Sequence, residues 1–221
     1  RQQMAFKSAK QGWFEINIQT GELILSDEYV KLLGYDPSTF SSTLQQWRQN
    51  VHPDERETAF NLYQKCLQKD SVFEFEYRRK TKDGNWLWLH TVAEITQWDK
   101  QHNPLWCTGI HTDISVRKKI ELRDHARNAV LERLLRGDKQ TQILEFIEKF
   151  IEQEKPGALC SVLLVNKQGT KLQSGVSASL PDYYIKAIDG TNIADGVGSC
   201  GTAAFRKSRV IVENIQTHPY W

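Results

Sequence analysis

Phe73-Glu74-Phe75-Glu76-Tyr77-Arg78 is the stretch that decides the fold, because aromatic and charged residues alternate along it. Successive side chains of a strand point to opposite faces, so this stretch predicts a strand with one aromatic and one charged face. Lys82-Asp83-Gly84-Asn85 then turns the chain into residues 86–98, and His102-Asn103-Pro104 turns it into residues 105–114. These segments predict an antiparallel meander with one buried face.

The segments on either side of the meander add one hairpin and two long helices. Apolar and polar residues alternate over 13–18 and over 22–26, on either side of a Thr20-Gly21 turn, and this pattern indicates a hairpin. Residues 52–70 predict a helix with Pro53 in its first position, where the missing N–H costs nothing. Residues 115–137 predict a second, highly charged helix.

The second half of the chain predicts a smaller mixed unit. Its predicted elements are an amphipathic helix through Ile143 and Ile151, a strand over 158–165, a turn over 166–169, a return strand from 170, short helices opening at Pro181 and covering 201–207, and a last strand over 209–215.

Composition narrows the classes of function. The 221 residues carry a net charge of +2, which gives no basic excess for binding a phosphate backbone. No apolar run approaches the roughly 20 residues of a membrane helix. The four cysteines form no C-x-x-C motif, so a reduced, cytoplasmic setting is expected. The chain starts at Arg1 without a signal peptide, and we expect it to be part of a longer protein.

Six motifs follow one another over residues 13–120. They are Trp13-Phe14-Glu15, Leu33-Gly34-Tyr35, Val51-His52-Pro53-Asp54-Glu55, Glu76-Tyr77-Arg78, Asp83-Gly84 with Trp86 and Trp88, and Gly109 leading into Asp113-Ile114-Ser115 with Arg117-Lys118. In this order they resemble a PAS domain with its C-terminal PAC motif. The resemblance implies an α+β fold in which helices flank an antiparallel sheet.

A second set of motifs lies in residues 138–221. They are Pro156-Gly157-Ala158, Leu163-Leu164-Val165, Gly198-Ser199-Cys200-Gly201-Thr202-Ala203-Ala204, Val210-Ile211-Val212 and His218-Pro219-Tyr220-Trp221. This set resembles the N-terminal part of a GAF domain, a partial α/β unit. The domain prediction is therefore an N-terminal helix over 1–12, a PAS/PAC domain over 13–114, a signalling helix over 115–137 and a truncated GAF domain over 138–221.

The two resemblances imply the sensory input region of a bacterial signal-transduction protein. The PAS resemblance implies that Asp113, Ile114 and Ser115 join the last strand to the output helix and relay the signal. We expect no enzyme activity in this part, a homodimer through helices 1–12 and 115–136, and an output domain downstream in the same polypeptide. Cyclic-di-GMP turnover is the expected output. The alternatives are a sensor histidine kinase, a dimerisation scaffold without ligand and, more remotely, a GAF-type methionine sulfoxide reductase.

Two groups of residues are candidates for a small-molecule pocket. In the PAS part they are Phe60, Tyr63, Phe75, Tyr77 and Trp88, and in the GAF part Ser199, Cys200 and Thr202. Two interpretations of the aromatic group stay open, since these side chains either line a pocket or fill the core. The ligand is unknown. Haem is disfavoured because helix 53–69 lacks a histidine, and cysteinyl-flavin because residues 47–51 lack a cysteine.

Three weaker signals have simpler explanations. Gly196 to Gly201 match G-x-G-x-x-G, but a dinucleotide site also needs a preceding buried strand and a long following helix. Cys200 near a helix start is typical of a small packed residue as well as of a reactive thiol. Cys107, His111 and His90 lie on neighbouring predicted strands, yet such histidines usually satisfy a hydrogen bond, and no metal is predicted.

Overall fold

A five-stranded antiparallel sheet forms the centre of the first unit. The computed structural model describes residues 10–69 and 72–220. The strands are β1 (Gln11–Asn17), β2 (Leu23–Leu25), β3 (Phe73–Lys80), β4 (Trp86–Trp98) and β5 (Pro104–Asp113). Their order across the sheet is β2-β1-β5-β4-β3. The predicted α+β architecture, with its hairpin and its meander, is confirmed.

Three helices cover the inner face of the sheet: α1 (Asp27–Leu32), α2 (Leu44–Asn50) and α3 (Pro53–Lys69). Ser26 caps α1 by accepting a hydrogen bond from the Tyr29 backbone N–H at 3.2 Å. The same hydroxyl accepts from the Trp13 N–H at 3.0 Å. One side chain therefore both starts α1 and fixes it to β1.

Alternation along β4 decides which side chains reach the core. Leu89, Thr91, Ala93 and Ile95 are buried on the inner face, and the residues between them point outward. Gly109 on β5 is required by close packing on this face. A Cβ atom there would lie 2.5 Å from the Phe14 ring and 2.6 Å from the Ala93 Cβ.

The fourth helix, α4 (Ser115–Arg136), follows β5 directly and has the extent that the sequence predicts. None of its side chains is buried. Six apolar residues are exposed along it: Val116, Ile120, Leu122, Leu131, Leu134 and Leu135. The stability of an isolated helix of this composition is marginal in water, so we expect its apolar face to pack against a partner.

The chain divides into two compact units, of which the first ends at Glu121 and the second begins at Leu122. After the α4 segment, the second unit contains α5 (Gln140–Glu154), the antiparallel hairpin β6 (Val162–Val165) and β7 (Leu172–Val176), α6 (Asp182–Ile188) and α7 (Gly198–Arg206). No helix in the two described ranges combines the length and the hydrophobicity that crossing a bilayer needs.

Three predicted elements differ from the structure. The strand predicted over 158–165 begins only at Val162, because the Glu152 side chain accepts the Cys160 backbone N–H at 2.8 Å and withdraws it from strand pairing. Residues 209–215 form no strand, since no strand in the described part of the chain pairs with them. In the helix predicted over 1–12, residues 11 and 12 belong to β1, and residues 1–9 lie outside the described ranges.

Candidate functional site

A small cavity lies between the inner face of the sheet and the helices of the first unit. Its volume is about 30 Å³. A buried water needs about 10–15 Å³ measured in this way, so the cavity has room for two or three waters. The walls are largely aromatic and include Phe14, Tyr29, Trp47, Tyr63, Phe73 and Tyr77. The core of the first unit is therefore neither completely filled nor open enough for a large cofactor.

A chain of hydrogen bonds crosses this apolar interior. The Trp47 indole N–H donates to the Tyr77 hydroxyl at 3.0 Å, and the Thr91 hydroxyl donates to the same oxygen at 3.3 Å. Thr91 Oγ1 also lies 2.6 Å from His111 Nδ1. Each polar group in the chain thereby satisfies another, which is the condition for burying it.

His111 is held neutral by its surroundings. Its ring stacks between Phe14 and Tyr29, at centroid distances of 4.5 and 4.2 Å. Burial, together with the positive charge of Arg79, lowers the pKa of His111 well below its ordinary value of 6.5. The imidazole is thus an uncharged core group at neutral pH.

Arg79 is the charged residue of the cavity wall, and the sequence analysis missed it. It is 3% exposed, and its Nη1 donates to the Trp47 carbonyl at 2.8 Å. Within the described residues its buried Nε has no acceptor, and neither has the O–H of Tyr29, whose phenol is hydrogen-bonded by Arg79; both residues line the cavity. Burial also raises the pKa of Tyr29, so its phenol keeps its proton as a donor.

The structure separates the five aromatic residues predicted for a pocket. Tyr63 and Tyr77 line the cavity, whereas Phe60 and Phe75 pack beside the core. The prediction for Trp88 is wrong, because β4 alternation places it on the outer face. There its ring lies 5.3 Å from the Arg78 guanidinium and 5.1 Å from the Lys118 ammonium.

The soft-ligand set considered from the sequence is likewise divided between the two faces of the sheet. Cys107 and His111 are buried inward, whereas His90 points outward and lies 3.0 Å from Glu74. A different group, His52, Asp54 and Glu55, brings three potential ligand atoms within 4.8 Å of one another. The Arg78 guanidinium already pairs with both of its carboxylates, which offsets one of their two negative charges.

The junction between the sheet and α4 is built from the three residues predicted to relay a signal. Asp113 Oδ1 accepts the Ser115 N–H at 2.9 Å and so caps the helix. The Ile114 N–H donates to the Trp88 carbonyl at 3.0 Å, and the Trp88 N–H donates to Ser115 Oγ at 3.2 Å. The start of α4 is therefore hydrogen-bonded to both the carbonyl and the N–H of one β4 residue, Trp88.

Glu76 adds a second connection that the sequence analysis did not assign to the site. It lies on the outer face of β3 and pairs with Lys118 at 2.6 Å and Arg117 at 2.5 Å. Hydrogen bonds from Lys118 and Arg117 lower the pKa of Glu76, while the pKa of each basic partner is raised. A carboxylate on the sheet thus holds the first two turns of α4 electrostatically.

The second unit has a cleft of about 370 Å³ that Cys200 lines together with Leu163, Tyr183, Tyr184 and Tyr220. Cys200 is exposed, and Ser199 Oγ lies 4.0 Å from its sulfur. Thr202 is completely buried and donates to the Gly198 carbonyl at 2.7 Å, so it is a helix residue that does not reach the cleft. Of the three residues predicted for this pocket, only Cys200 lines it.

Residues 22–111 match the family profile described as PAS fold. The methyl sulfide methyltransferase-associated sensor of Methanosarcina acetivorans is 32% identical over 194 residues, which are 87% of this chain and 19% of that protein. The chain therefore spans about a fifth of the length of that curated relative.

One solved structure gives the same assignment for the fold. A sensory box histidine kinase/response regulator from Burkholderia thailandensis superposes with a TM-score of 0.53 at 25% identity, over 60% of this chain and 98% of its own. The N-terminal domain of a diguanylate cyclase with PAS/PAC sensor from Marinobacter aquaeolei has a TM-score of 0.45 at 23% identity, over 49% of this chain and 98% of its own. The family match and the sheet with its flanking helices agree, and the first unit of this chain is a PAS sensor domain.

Proposed function

We propose that this chain is the sensory input region of a signal-transduction protein, and that the state of the PAS core reaches α4 through Asp113, Ile114 and Ser115. The observation that carries this proposal is a pair of hydrogen bonds between the Trp88 backbone and the start of α4. The Trp88 carbonyl accepts from the Ile114 N–H, and the Trp88 N–H donates to Ser115 Oγ. A displacement of β4 moves the first turn of α4 with it, as packed elements shift in other switches. The relative from Methanosarcina acetivorans, named as a sensor, supports this role.

The cavity is the input site in this proposal. It combines a buried polar network, two unsatisfied donors and room for a few atoms, which suits a small ligand better than a large cofactor. Native mass spectrometry of the purified chain, compared with its denatured mass, tests for a bound ligand. Excess mass that is lost on denaturation supports the input site.

Asp113→Ala tests the relay. The substitution removes the cap of α4 but no core contact, so we expect the protein to fold and the output of the full-length protein to stop responding to its stimulus. The matched control is Asp124→Ala, the same change on the exposed surface of α4, which should respond normally. A normal response in Asp113→Ala contradicts the relay.

For the output domain, we propose cyclic-di-GMP turnover in the same polypeptide. The second candidate is a histidine kinase, which the likeness to the Burkholderia thailandensis protein favours. Assays of the full-length protein distinguish them: formation or hydrolysis of cyclic-di-GMP supports the first, and phosphate transfer from ATP to a histidine supports the second. The input region itself takes no catalytic part in either case.

We also propose that the protein is a homodimer through α4 and residues 1–12. The exposed apolar residues of α4 support a helix partner, and a second copy would supply an identical face. Light scattering at high concentration tests this, and a monomer contradicts it. A dimer with no ligand and no stimulus response would instead support the dimerisation scaffold.

The second unit is, in this proposal, the N-terminal part of a GAF domain over 138–221. The hairpin of β6 and β7 with helices on either side supports it. Three of the cysteines, Cys107, Cys160 and Cys200, carry free thiols, which suits a reducing, cytoplasmic setting. Turnover of methionine sulfoxide with thioredoxin, lost in Cys200→Ser, would instead indicate the reductase.

A further inference from the structure

Arg79 lies in the core, and no carboxylate of the described residues pairs with it. The neighbouring carboxylates of Asp54 and Glu55 pair with Arg78, on the opposite face of β3. Arg79 Nη1 donates to the Trp47 carbonyl, and a hydrogen bond from the Arg79 side chain also acts on the Tyr29 phenol. A guanidinium carries five N–H donors and is costly to bury unless they are satisfied. The arrangement is therefore short of negative charge and of acceptor atoms.

The Tyr29 hydroxyl is a second unsatisfied donor on the same cavity. Tyr29 is 1% exposed and lines the cavity with Arg79. Arg79 hydrogen-bonds to its phenol, but the O–H finds no acceptor among the residues that the structure describes. A planar guanidinium beside a phenol hydroxyl matches the two oxygens of a carboxylate, which accept hydrogen bonds from several donors at once. The cavity thus presents the donors of Arg79 and Tyr29, while the other polar side chains of its wall, Trp47, Tyr77, Thr91 and His111, are hydrogen-bonded to one another.

The volume limits what can bind. About 30 Å³ corresponds to two or three waters, and hence to an anion of about three or four non-hydrogen atoms. Formate and acetate have this size. Ala93 and Cys107 belong to the remaining wall and would face the hydrogen or methyl group of such an anion.

Arg79 also contacts a site at the surface. It lines a second, polar cleft of about 320 Å³, together with Ser42, Gln46 and Lys80. The Arg79 side chain therefore borders both the outer cleft and the inner cavity. The positive charges of Arg79 and Lys80 attract anions to this cleft.

We propose that the PAS cavity binds a small monocarboxylate anion, of the size of formate or acetate, through Arg79 and Tyr29. This inference rests on the proposed sensory function, because it names the class of ligand for the same cavity.

Titration of the chain with sodium formate and sodium acetate, followed by calorimetry at constant ionic strength, tests the ligand class. We expect saturable binding of at least one anion to a single site per chain. Acetamide, the neutral isostere of acetate, should not bind, because it does not supply the missing charge. Absence of saturable binding by both anions, or equal binding of acetamide, overturns the proposal.

Two variants test the residues. Arg79→Met should weaken binding by about tenfold or more, since it removes the charged donor, and Tyr29→Phe by several-fold. Arg79→Met removes a buried charge in exchange for an apolar side chain of similar length, so we expect it to fold. The control is Lys65→Met, which removes an exposed charge from α3 and should leave binding unchanged. Unchanged binding in folded Arg79→Met overturns the assignment.

Hydrogen exchange of α4, measured with and without the anion, separates this proposal from the proposed function. Binding that depends on Arg79 but leaves α4 unchanged upholds the ligand class and contradicts the relay. A change in α4 produced by another stimulus, in a chain that binds neither anion, upholds the relay and contradicts the ligand class.

Discussion

At the scale of single residues, the burial of His111 makes the stability of the PAS domain depend on pH. In the unfolded chain His111 takes up a proton as the pH falls through about 6.5, whereas in the folded chain it does not. The unfolded state then binds more protons, so the free energy of unfolding decreases as the pH falls. We expect a loss of about 1.4 kcal/mol between about pH 7.5 and 5.5, measured by urea unfolding.

His111→Gln should remove this part of the pH dependence, because glutamine keeps a hydrogen-bonding group beside Thr91 but does not titrate. His125→Gln is the control, since His125 is exposed on α4 and should leave the dependence as it is in the unmodified chain. The explanation fails if both variants lose stability equally as the pH is lowered.

The residues of the cavity could be predicted only in part. The alternation in Phe73-Glu74-Phe75-Glu76-Tyr77-Arg78 continues by one step to place Arg79 inward, but the candidate pocket residues of this strand ended at Tyr77. Trp88 was misplaced because large apolar residues occupy four successive positions from Trp86 to Leu89, and such a run hides its period. Parity counted from Leu89 would have corrected the placement of Trp88.

At the scale of elements, the contact between β3 and α4 depends on Glu76. Glu76→Gln keeps the size of the side chain and removes its charge, so the pairs with Arg117 and Lys118 weaken. We expect backbone amides in the first two turns of α4 to exchange about two- to fivefold faster, which corresponds to about 0.5–1 kcal/mol. Exchange measured by mass spectrometry on a peptide covering these turns checks this.

Glu74→Gln is the matched control, because Glu74 lies on the same face of β3 but contacts His90 and no residue of α4. The depressed pKa of Glu76 means that its pairs persist above the ordinary value of 4.5 and are lost only as the pH falls further, through the folded-state pKa. Equally faster amide exchange of α4 in the Glu76→Gln and Glu74→Gln variants would show that the charge pairs do not hold the helix.

Elements were predicted well where the local pattern was strong. The extent of α4 followed, to within one residue, from an uninterrupted charged run. The strand predicted from residue 158 was too long because the side chain of Glu152, eight positions before Cys160, accepts the hydrogen bond of the Cys160 backbone N–H. Competition of this kind leaves no trace in the periodicity of the strand itself.

At the scale of the whole molecule, the chain divides into two compact units, and we expect them to unfold separately. Leu89→Ala removes a fully buried side chain of the PAS core and should cost about 2–5 kcal/mol in that unit alone. Labelling of cysteine thiols along a urea gradient reports each unit, with Cys107 for the first and Cys160 for the second. Only the Cys107 midpoint should move, and an equal shift of both would indicate a single cooperative body.

Long-range pairs were the part of this architecture that sequence patterns could not supply. Glu76 and Arg117 are 41 positions apart, and Trp88 and Ser115 are 27 apart. Their approach follows from strand register, which a single sequence does not encode locally. The motifs of the PAS resemblance nevertheless included Glu76, Trp88, Ser115 and Arg117, so the family order marked all four residues without showing which of them are in contact.

The position of the His111 ring between two aromatic faces has a magnetic consequence. The π-electrons of Phe14 and Tyr29 circulate in an applied field and shield nuclei that lie above and below their planes. The carbon-bound protons of His111 should therefore resonate upfield of those of the other histidines. This signal would report directly on the interior of the sheet, and any displacement of either ring would change its frequency.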